Sequence, residues 1–214
     1  MEEYSNRYCN EHCEKENHNL CLNNNLRKAL RIMLNFKYLD LTIDPNTAHY
    51  GLRFYTLFNR LDAVGGFVPE LKHNSFISLQ ADINVPLGYG PGFDNINTII
   101  SICNLRAVAF VIEEGRTNDL LKELRRNYGD VKIHNIPCSC NEDILDVLLE
   151  CQCDVFNNSM IYQIGVDAID RSNNLIRGKI VAYDSQLIWV QAIDTDVPPT
   201  FYIVPLKYIS FISV

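Results

Sequence analysis

The sequence predicts an α+β or α/β fold: a mixed sheet with helices over residues 23–156, followed by a small, strongly bent β-barrel over residues 160–214. Two observations predict it. Between Met160 and Val214 the chain breaks into short β-branched and aromatic runs separated by turn residues, as in antiparallel strands. Before that, segments with apolar residues at helical spacing alternate with short apolar runs, as in a sheet covered by helices.

The composition limits the classes of partner. The chain has 214 residues, of which 47% are hydrophobic, enough to bury one large core or two modest ones. Its net charge of −7 predicts repulsion from nucleic-acid phosphates and anionic membranes. No apolar run approaches the roughly 20 residues that cross a bilayer, and the first residues do not resemble a signal peptide. We therefore expect a protein made in the cytoplasm, with no nucleic-acid or membrane partner and no cofactor.

The N-terminal part is predicted to be a tail followed by a helix. Residues 1–22 are polar and rich in Asn and Glu, which is typical of a flexible segment. A helix is predicted from Asn23 to Asn35, because apolar residues recur there at helical spacing with basic residues opposite. The apolar residues are Leu26, Leu30, Met33 and Leu34.

Residues 48–87 carry the pattern of strands. Aromatic and branched residues concentrate in three runs with short links, which predicts antiparallel pairing. The runs are Leu52–Phe58, Gly66–Val68 and Phe76–Ile83. Gly65–Gly66 and Lys72–Asn74 are predicted turns.

An α/β pattern follows, up to a domain boundary predicted at Asn157–Ser159. The predicted elements are a helix from Asp94 to Cys103, a strand at Ala107–Ile112, a helix from Thr117 to Gly129, a strand at Val131–Ile136 and a helix from Asn141 to Leu149. This order predicts a right-handed crossover and a parallel strand pair. No internal repeat is visible in the sequence.

The C-terminal strands carry the residues of a known motif: a glycine, alternating apolar residues, an aromatic–Asp pair and an apolar strand. These residues are Gly178, Ile180, Tyr183, Asp184, Leu187, Trp189 and Val190, with a looser second motif at Ile203–Ile209. Over about 50 of the 214 residues the chain resembles the Sm-like family, which implies a small, bent barrel. Physically, Gly178 permits a sharp bend where strands cross closely, and Asp184 can accept hydrogen bonds from amides of the next turn.

Two positions depart from the RNA-binding pattern of that family. Ile188 stands where the resemblance expects an asparagine, and Val204–Leu206 stands where it expects an Arg-Gly pair. Isoleucine offers no hydrogen bond to a base edge, and no cation is left there to meet a phosphate. Residues 160–214 hold four basic and five acidic residues, so RNA binding is disfavoured. What the resemblance still implies is the pairing of edge strands between subunits.

The C-terminal runs are predicted to pair with a second molecule. Phe201–Val204 and Tyr208–Val214 are β-prone and nearly uncharged, and an open edge of this kind recruits another strand. The candidate assembly residues are Phe201, Tyr202, Ile203, Tyr208 and Phe211. The alternative is that these strands pair only within the barrel.

Seven of the eight cysteines form the second set of assembly candidates, and the eighth, Cys103, is isolated from the rest. The clustered ones are Cys9, Cys13 and Cys21 in the tail, the pair Cys138 and Cys140, and the pair Cys151 and Cys153. In a reducing compartment the alternatives are buried apolar residues, metal ligands, or thiols that later form intermolecular disulfides.

A shared zinc site is disfavoured. The sulfurs of a tetrahedral site lie within about 4 Å of each other, whereas the eleven helical steps from Cys140 to Cys151 span about 16 Å. In the tail, soft ligands are offered by Cys9, His12, Cys13, His18 and Cys21, but a thiol-bearing arm that ties subunits together is preferred over a zinc knuckle.

Two features suggest a ligand or catalytic site. The loop Gly88–Gly92 precedes the predicted Asp94 helix, where free amides could hold a phosphate, but it lacks the Lys-Ser/Thr of a P-loop. Glu113 and Glu114 follow a predicted strand and could act as acid and base at a sheet edge. A rigid turn and solvated carboxylates are the preferred interpretations, and no catalytic, cofactor-binding or metal residue is assigned.

We therefore expect a non-enzymatic, self-assembling structural protein. The ending Phe201–Ile212 resembles small modules in coat proteins of spore-forming bacteria, where paired cysteines are also common. That resemblance implies a spore coat or exosporium, with deposition on the spore surface and other coat proteins as further partners. The alternative is an α/β enzyme or small-ligand-binding protein with a C-terminal interaction barrel.

Overall fold

The computed structural model describes two helices and fourteen strands. The described residues are 24–41, 43–44, 49–56, 64–65, 67–72, 76–81, 96–129, 161–166, 175–193 and 200–213. The helices are α1 (Asn24–Leu34) and α2 (Thr117–Tyr128). The N-terminal strands are β1 (Leu39–Asp40), β2 (Ile43–Asp44), β3 (His49–Tyr50), β4 (Leu52–Thr56), β5 (Val64–Gly65), β6 (Phe67–Lys72), β7 (Phe76–Ala81), β8 (Ile96–Ser101) and β9 (Leu105–Ile112). The C-terminal strands are β10 (Tyr162–Val166), β11 (Leu175–Tyr183), β12 (Leu187–Ala192), β13 (Thr200–Pro205) and β14 (Ile209–Ser213).

Every strand pairing that the structure describes is antiparallel. The largest sheet has the order β14-β10-β11-β12-β13-β9-β4-β5, with β1 pairing to the end of β9. A second sheet has the order β6-β7-β8, and β2 pairs with β3. The sequence predicts β9 in a parallel pair, but its long neighbours β4 and β13 both run antiparallel to it. The strand predicted at Val131–Ile136 lies outside the described residues.

Both helices lie where the sequence predicts them. The buried residues are Leu26, Ala29, Leu30 and Met33 in α1 and Leu120, Leu124 and Tyr128 in α2. α2 ends at Gly129, whose φ of 63° favours glycine and whose N–H donates to the carbonyl oxygen of Arg125 at 2.9 Å. The apolar stripe and the terminal glycine were therefore sufficient signals for these elements.

The helix predicted from Asp94 to Cys103 is wrong. Ile96–Ser101 is strand β8, which pairs along its whole length with β7, and Ile102–Asn104 is a short 3-10 turn. Apolar residues three and four positions apart are ambiguous in a short run, and β-branched side chains favour the strand. The turn predicted at Gly65–Gly66 is also wrong in part, because Gly65 belongs to β5.

The C-terminal strands do not form a closed barrel within the described residues. β10 to β13 pair consecutively in one sheet, and β14 turns back to pair with β10. β13 then pairs with β9 of the N-terminal half. The sheet therefore crosses the domain boundary predicted at Asn157–Ser159, a segment that itself lies outside the described residues.

Gly178 lies where β11 passes from one neighbour to the other. It pairs with Tyr162 of β10 on one side and with Ala192 of β12 on the other. A Cβ atom at this position would overlap the backbone carbonyl oxygen of Gln191 and would lie 2.7 Å from a methyl group of Val190. The close strand crossing predicted for this glycine is confirmed.

Asp184 organises the turn between β11 and β12. One carboxylate oxygen accepts hydrogen bonds from the backbone N–H groups of Gln186 at 2.8 Å and Leu187 at 3.1 Å. The role predicted for this residue is therefore confirmed.

Two hydrophobic clusters stabilise the sheets. One lies between the helices and the sheet, where Trp189 makes edge-to-face contacts with Phe110 at 5.9 Å and Tyr128 at 6.0 Å between ring centroids. The other lines the inner face of the C-terminal strands and includes Tyr162 and Val190. α2 thus covers the outer face of the C-terminal strands.

The fold contains a repeat that the sequence does not reveal. We call β4 to β9 (residues 52–112) the first unit and β10 to β14 (residues 162–213) the second unit. In the second unit β10 pairs with β14 and β11, β11 pairs with β12, and β12 pairs with β13. In the first unit β4 pairs with β9 and β5, β6 pairs with β7, and β7 pairs with β8. β5 and β6 together take the place of β11. The two units share the order and pairing of their strands and not their residue identities, so a search for repeated sequence does not detect them.

Candidate functional site

Several described strands pair on one side only; of those with five or more residues, β8 and β14 carry no charged residue, whereas β6 carries Glu70 and Lys72. β8 pairs with β7 on one side, and β14 pairs with β10 on one side; no described strand lies beyond either. Open edges present backbone N–H and carbonyl groups that can hydrogen-bond to another strand. We call β8 and β14 the open edges.

Exposed apolar side chains concentrate on these edges. Among the described residues, the large hydrophobic side chains that are exposed are Phe76 (41%), Ile99 (68%), Leu175 (41%) and Phe211 (48%). Ile99 lies on β8 and Phe211 on β14, while Phe76 lies on the strand next to β8. Neither open edge contains a charged residue, although edge charges commonly prevent association.

The structure separates the predicted assembly residues. Phe201 and Ile203 are fully buried on β13, which is flanked by β12 and β9, and Tyr202 lies between them on the same strand. Phe201–Val204 is therefore an interior strand, and the partner of its edge comes from the same chain. Tyr208 is buried, with the guanidinium of Arg106 3.8 Å from its ring centroid.

Phe211 is the predicted assembly residue that lies on an open edge. Its ring packs over Gly165 of β10, where a Cβ atom would overlap the ring. Sequence reasoning did not single out Ile99, because it assigned that segment to a helix.

The predicted cross-linking cysteines, Cys9, Cys13, Cys21, Cys138, Cys140, Cys151 and Cys153, lie outside the described residues. Cys103 lies in the 3-10 turn before β9. The loop Gly88–Gly92 also lies outside the described residues, and Glu113 and Glu114 are exposed after β9.

A basic groove lies between α1 and the C-terminal part of α2. This cavity of about 750 Å³ is lined by four cationic side chains and one acidic one. They are Arg27, Lys28, Arg31, Lys37 and Glu123. Lys28 Nζ donates to the carbonyl oxygen of Asn127 at 2.6 Å and lies 4.5 Å from the ring centroid of Tyr128. We call this cavity the helix groove.

Sequence reasoning missed the helix groove because it evaluated net charge for the whole chain and for residues 160–214, and not for the first helix by itself. The signal was present in Arg27, Lys28 and Arg31, which follow one another along the polar side of the predicted first helix. Only the packing of α1 beside α2 shows that these cations line a cavity.

Known proteins provide no relative for this arrangement. No family model, curated protein or solved structure matches the chain. The resemblances to Sm-like modules and to coat proteins therefore stay predictions. Neither described helix combines the length and apolar character needed to cross a membrane.

Proposed function

We propose that the protein is a self-assembling structural protein whose molecules associate through the open edges. The observation that carries the proposal is the pair of uncharged edge strands, with Ile99 and Phe211 exposed on them. Strand addition would form backbone hydrogen bonds along β8 and β14 and remove these side chains from water, at about 25 cal/mol for each Å² of apolar surface buried.

The charge of the molecule limits this association. A net charge of −7 produces repulsion between copies, which salt screens over about 10 Å at 0.1 M ionic strength. Self-association is therefore expected to strengthen as salt is added. A spore coat or exosporium is the setting that we propose, on the resemblance of Phe201–Ile212 to coat modules, with cysteine cross-links giving permanence.

The test is light scattering on the full chain after size-exclusion chromatography, with and without reductant. The wild type is expected to be multimeric, and Ile99→Lys and Phe211→Lys are each expected to reduce the mass, because a charge on an open edge disfavours pairing. Asn118→Lys, which adds the same charge at an exposed position of α2, is the matched control. A monomeric wild type under both conditions would overturn the proposal.

A second candidate function is the binding of a phosphate polymer in the helix groove, favoured by its four cations around one cavity. Inorganic polyphosphate is the probe, measured by calorimetry at several salt concentrations. Arg27→Glu and Lys37→Glu are expected to weaken binding and flatten its salt dependence, because fewer counterions are released. Lys122→Glu, an exposed change on α2 outside the groove lining, should have little effect; equal loss in all three variants would reject the site.

A further inference from the structure

The two units share their strand register residue for residue. In the first unit β7 and β8 pair with Phe76 opposite Ser101, and in the second β12 and β13 pair with Leu187 opposite Pro205. From these pairs the two ladders run in step for five residues, to Gln80 opposite Asn97 and to Gln191 opposite Phe201. The fourth strand of each unit then enters a 3-10 turn of three residues that leads into the fifth strand.

The units also share an irregularity. Where β4 pairs with β9, the register shifts between Tyr55 and Thr56, which pair with Ala107 and Leu105. Where β10 pairs with β14, it shifts between Gly165 and Val166, which pair with Phe211 and Ile209. A bulge at the same step of the same ladder makes the two units two versions of one folding unit.

The two units are joined by one strand pairing. β9, the fifth strand of the first unit, pairs antiparallel with β13, the fourth strand of the second. Val108 lies opposite Ile203 and Phe110 opposite Phe201, and the last two rings stack at 5.7 Å. The strands that this pairing does not use are the fourth strand of the first unit and the fifth strand of the second. These are the open edges, β8 and β14.

The side chains exposed at the open edges have buried equivalents in the other unit. Ile99 and Phe76 occupy the positions of Ile203 and Leu187 of the second unit, which are both fully buried. Phe211 occupies the position of Ala107 of the first unit, which is also fully buried and belongs to the second unit's core. The side chains exposed at the open edges are therefore equivalent to side chains that are buried in the other unit, in the helix-covered cluster for Ile203 and Leu187 and in the second unit's core for Ala107.

We propose that molecules join head to tail, with β14 of one molecule pairing with β8 of the next in the register of the β9–β13 joint. This inference rests on the proposed function and adds its geometry. Transferring the register places Ile212 of one molecule opposite Ile99 of the next, as Val108 lies opposite Ile203, and Ser213 opposite Thr98. Because the two surfaces differ, the contact is heterologous and produces a ring when the rotation closes or a filament when it does not.

Variants that block one edge each, made in the full chain, test the geometry. Ile99→Lys blocks only β8, whereas Ile212→Glu and Phe211→Lys each block only β14. Because Ile212 is half-buried, the folding of Ile212→Glu is checked by circular dichroism, and Phe211→Lys serves as a second block of the same edge. Each variant alone is expected to be monomeric by light scattering. An equal mixture of Ile99→Lys and Phe211→Lys is expected to give twice the monomer mass and no larger species, since one intact β14 and one intact β8 remain and the two blocked edges carry charges of the same sign.

The register has its own test. Ile99→Lys and Ile212→Glu combined in one chain are expected to restore assembly, because the two charges become opposite neighbours across the contact. Ile99→Lys with Phe211→Glu, shifted by one residue, is the matched control and should remain monomeric. If the wild type assembles but single variants still dimerise, or the mixture stays monomeric, the head-to-tail geometry is wrong while the proposed function stands. A monomeric wild type would reject both.

Discussion

The same position in the two units has opposite surroundings. Ile203 of the second unit is fully buried, whereas Ile99, the fourth residue of the equivalent strand, is 68% exposed. Both residues pair with the third strand of their unit in the same register. The differences are the strand on the other side, which is β9 for Ile203, and the helix-covered cluster that Ile203 joins. Burial of this position is thus set by the elements that pack against the unit and not by the unit itself.

The largest effect is expected from a lysine at the buried one of the two equivalent positions, compared with a lysine at the exposed one. Ile203→Lys buries an ammonium group without a partner and should reduce the free energy of unfolding by at least about 3 kcal/mol. Ile99→Lys should change the stability of the isolated molecule by about 0.5 kcal/mol or less, because its side chain lies mostly in water. Urea unfolding of both variants at low protein concentration measures the difference. Equal losses would mean that the two positions are not distinguished by the elements that pack against each unit.

A second comparison concerns two glycines of different surroundings. Gly178→Ala forces a Cβ atom onto the backbone of β12 at the strand crossing, so a loss of about 2–3 kcal/mol is expected. Gly129→Ala introduces no contact within 4 Å but has to adopt a φ of 63°, which should cost about 1 kcal/mol. Thermal and urea unfolding distinguish the two, and a larger loss at Gly129 would contradict the close crossing.

The turn carboxylate of the second unit should give a pH dependence. Burial raises the pKa of Asp184, against the opposing effects of the Gln186 and Leu187 amides, the Asn25 side chain and the Lys28 charge. The folded state therefore holds this proton more tightly than the unfolded state. Its contribution to the free energy of unfolding falls as pH rises from the ordinary carboxyl value of 3.8 to the raised value.

Asp184→Asn keeps an oxygen acceptor for the two amides but cannot ionise. The fall in stability over that pH window should therefore be smaller in this variant than in the wild type, as measured by urea unfolding at a series of pH values. Identical pH profiles would show that burial does not raise this pKa.

The smallest effect is expected where the helices meet. Lys28→Met removes the cation over the Tyr128 ring and the bond to the Asn127 carbonyl while keeping an apolar stem. Because Lys28 is exposed, the loss should be about 0.5 kcal/mol. Arg126→Met, which breaks an exposed ion pair with Glu123 at 3.5 Å, is the control for a surface charge. If Lys28→Met reduces the free energy of unfolding no more than Arg126→Met does, the contact that Lys28 makes between α1 and α2 does not contribute to stability.

The sequence predicts the local features best. The helices over Asn24–Leu34 and Thr117–Tyr128, the buried strand at Ala107–Ile112, the bend at Gly178 and the turn at Asp184 follow from spacing and backbone chemistry. Ile96–Ser101 does not, because its short apolar run fits either period and pairing with β7 decides the outcome.

Partner choice between distant strands was not predictable. Phe201–Val204 has the composition of an open edge, yet it is interior because β9, far away in the chain, pairs with it. Ile99 shows the opposite case. Composition identifies strands that need a neighbour, but the identity of the neighbour depends on long-range packing that residue patterns do not encode.

The covalent link between the two units has one consequence for size. Units joined by the β9–β13 pairing always come two to a chain. Any closed circle of such chains would therefore contain an even number of units, and odd-numbered circles would be forbidden by parity alone.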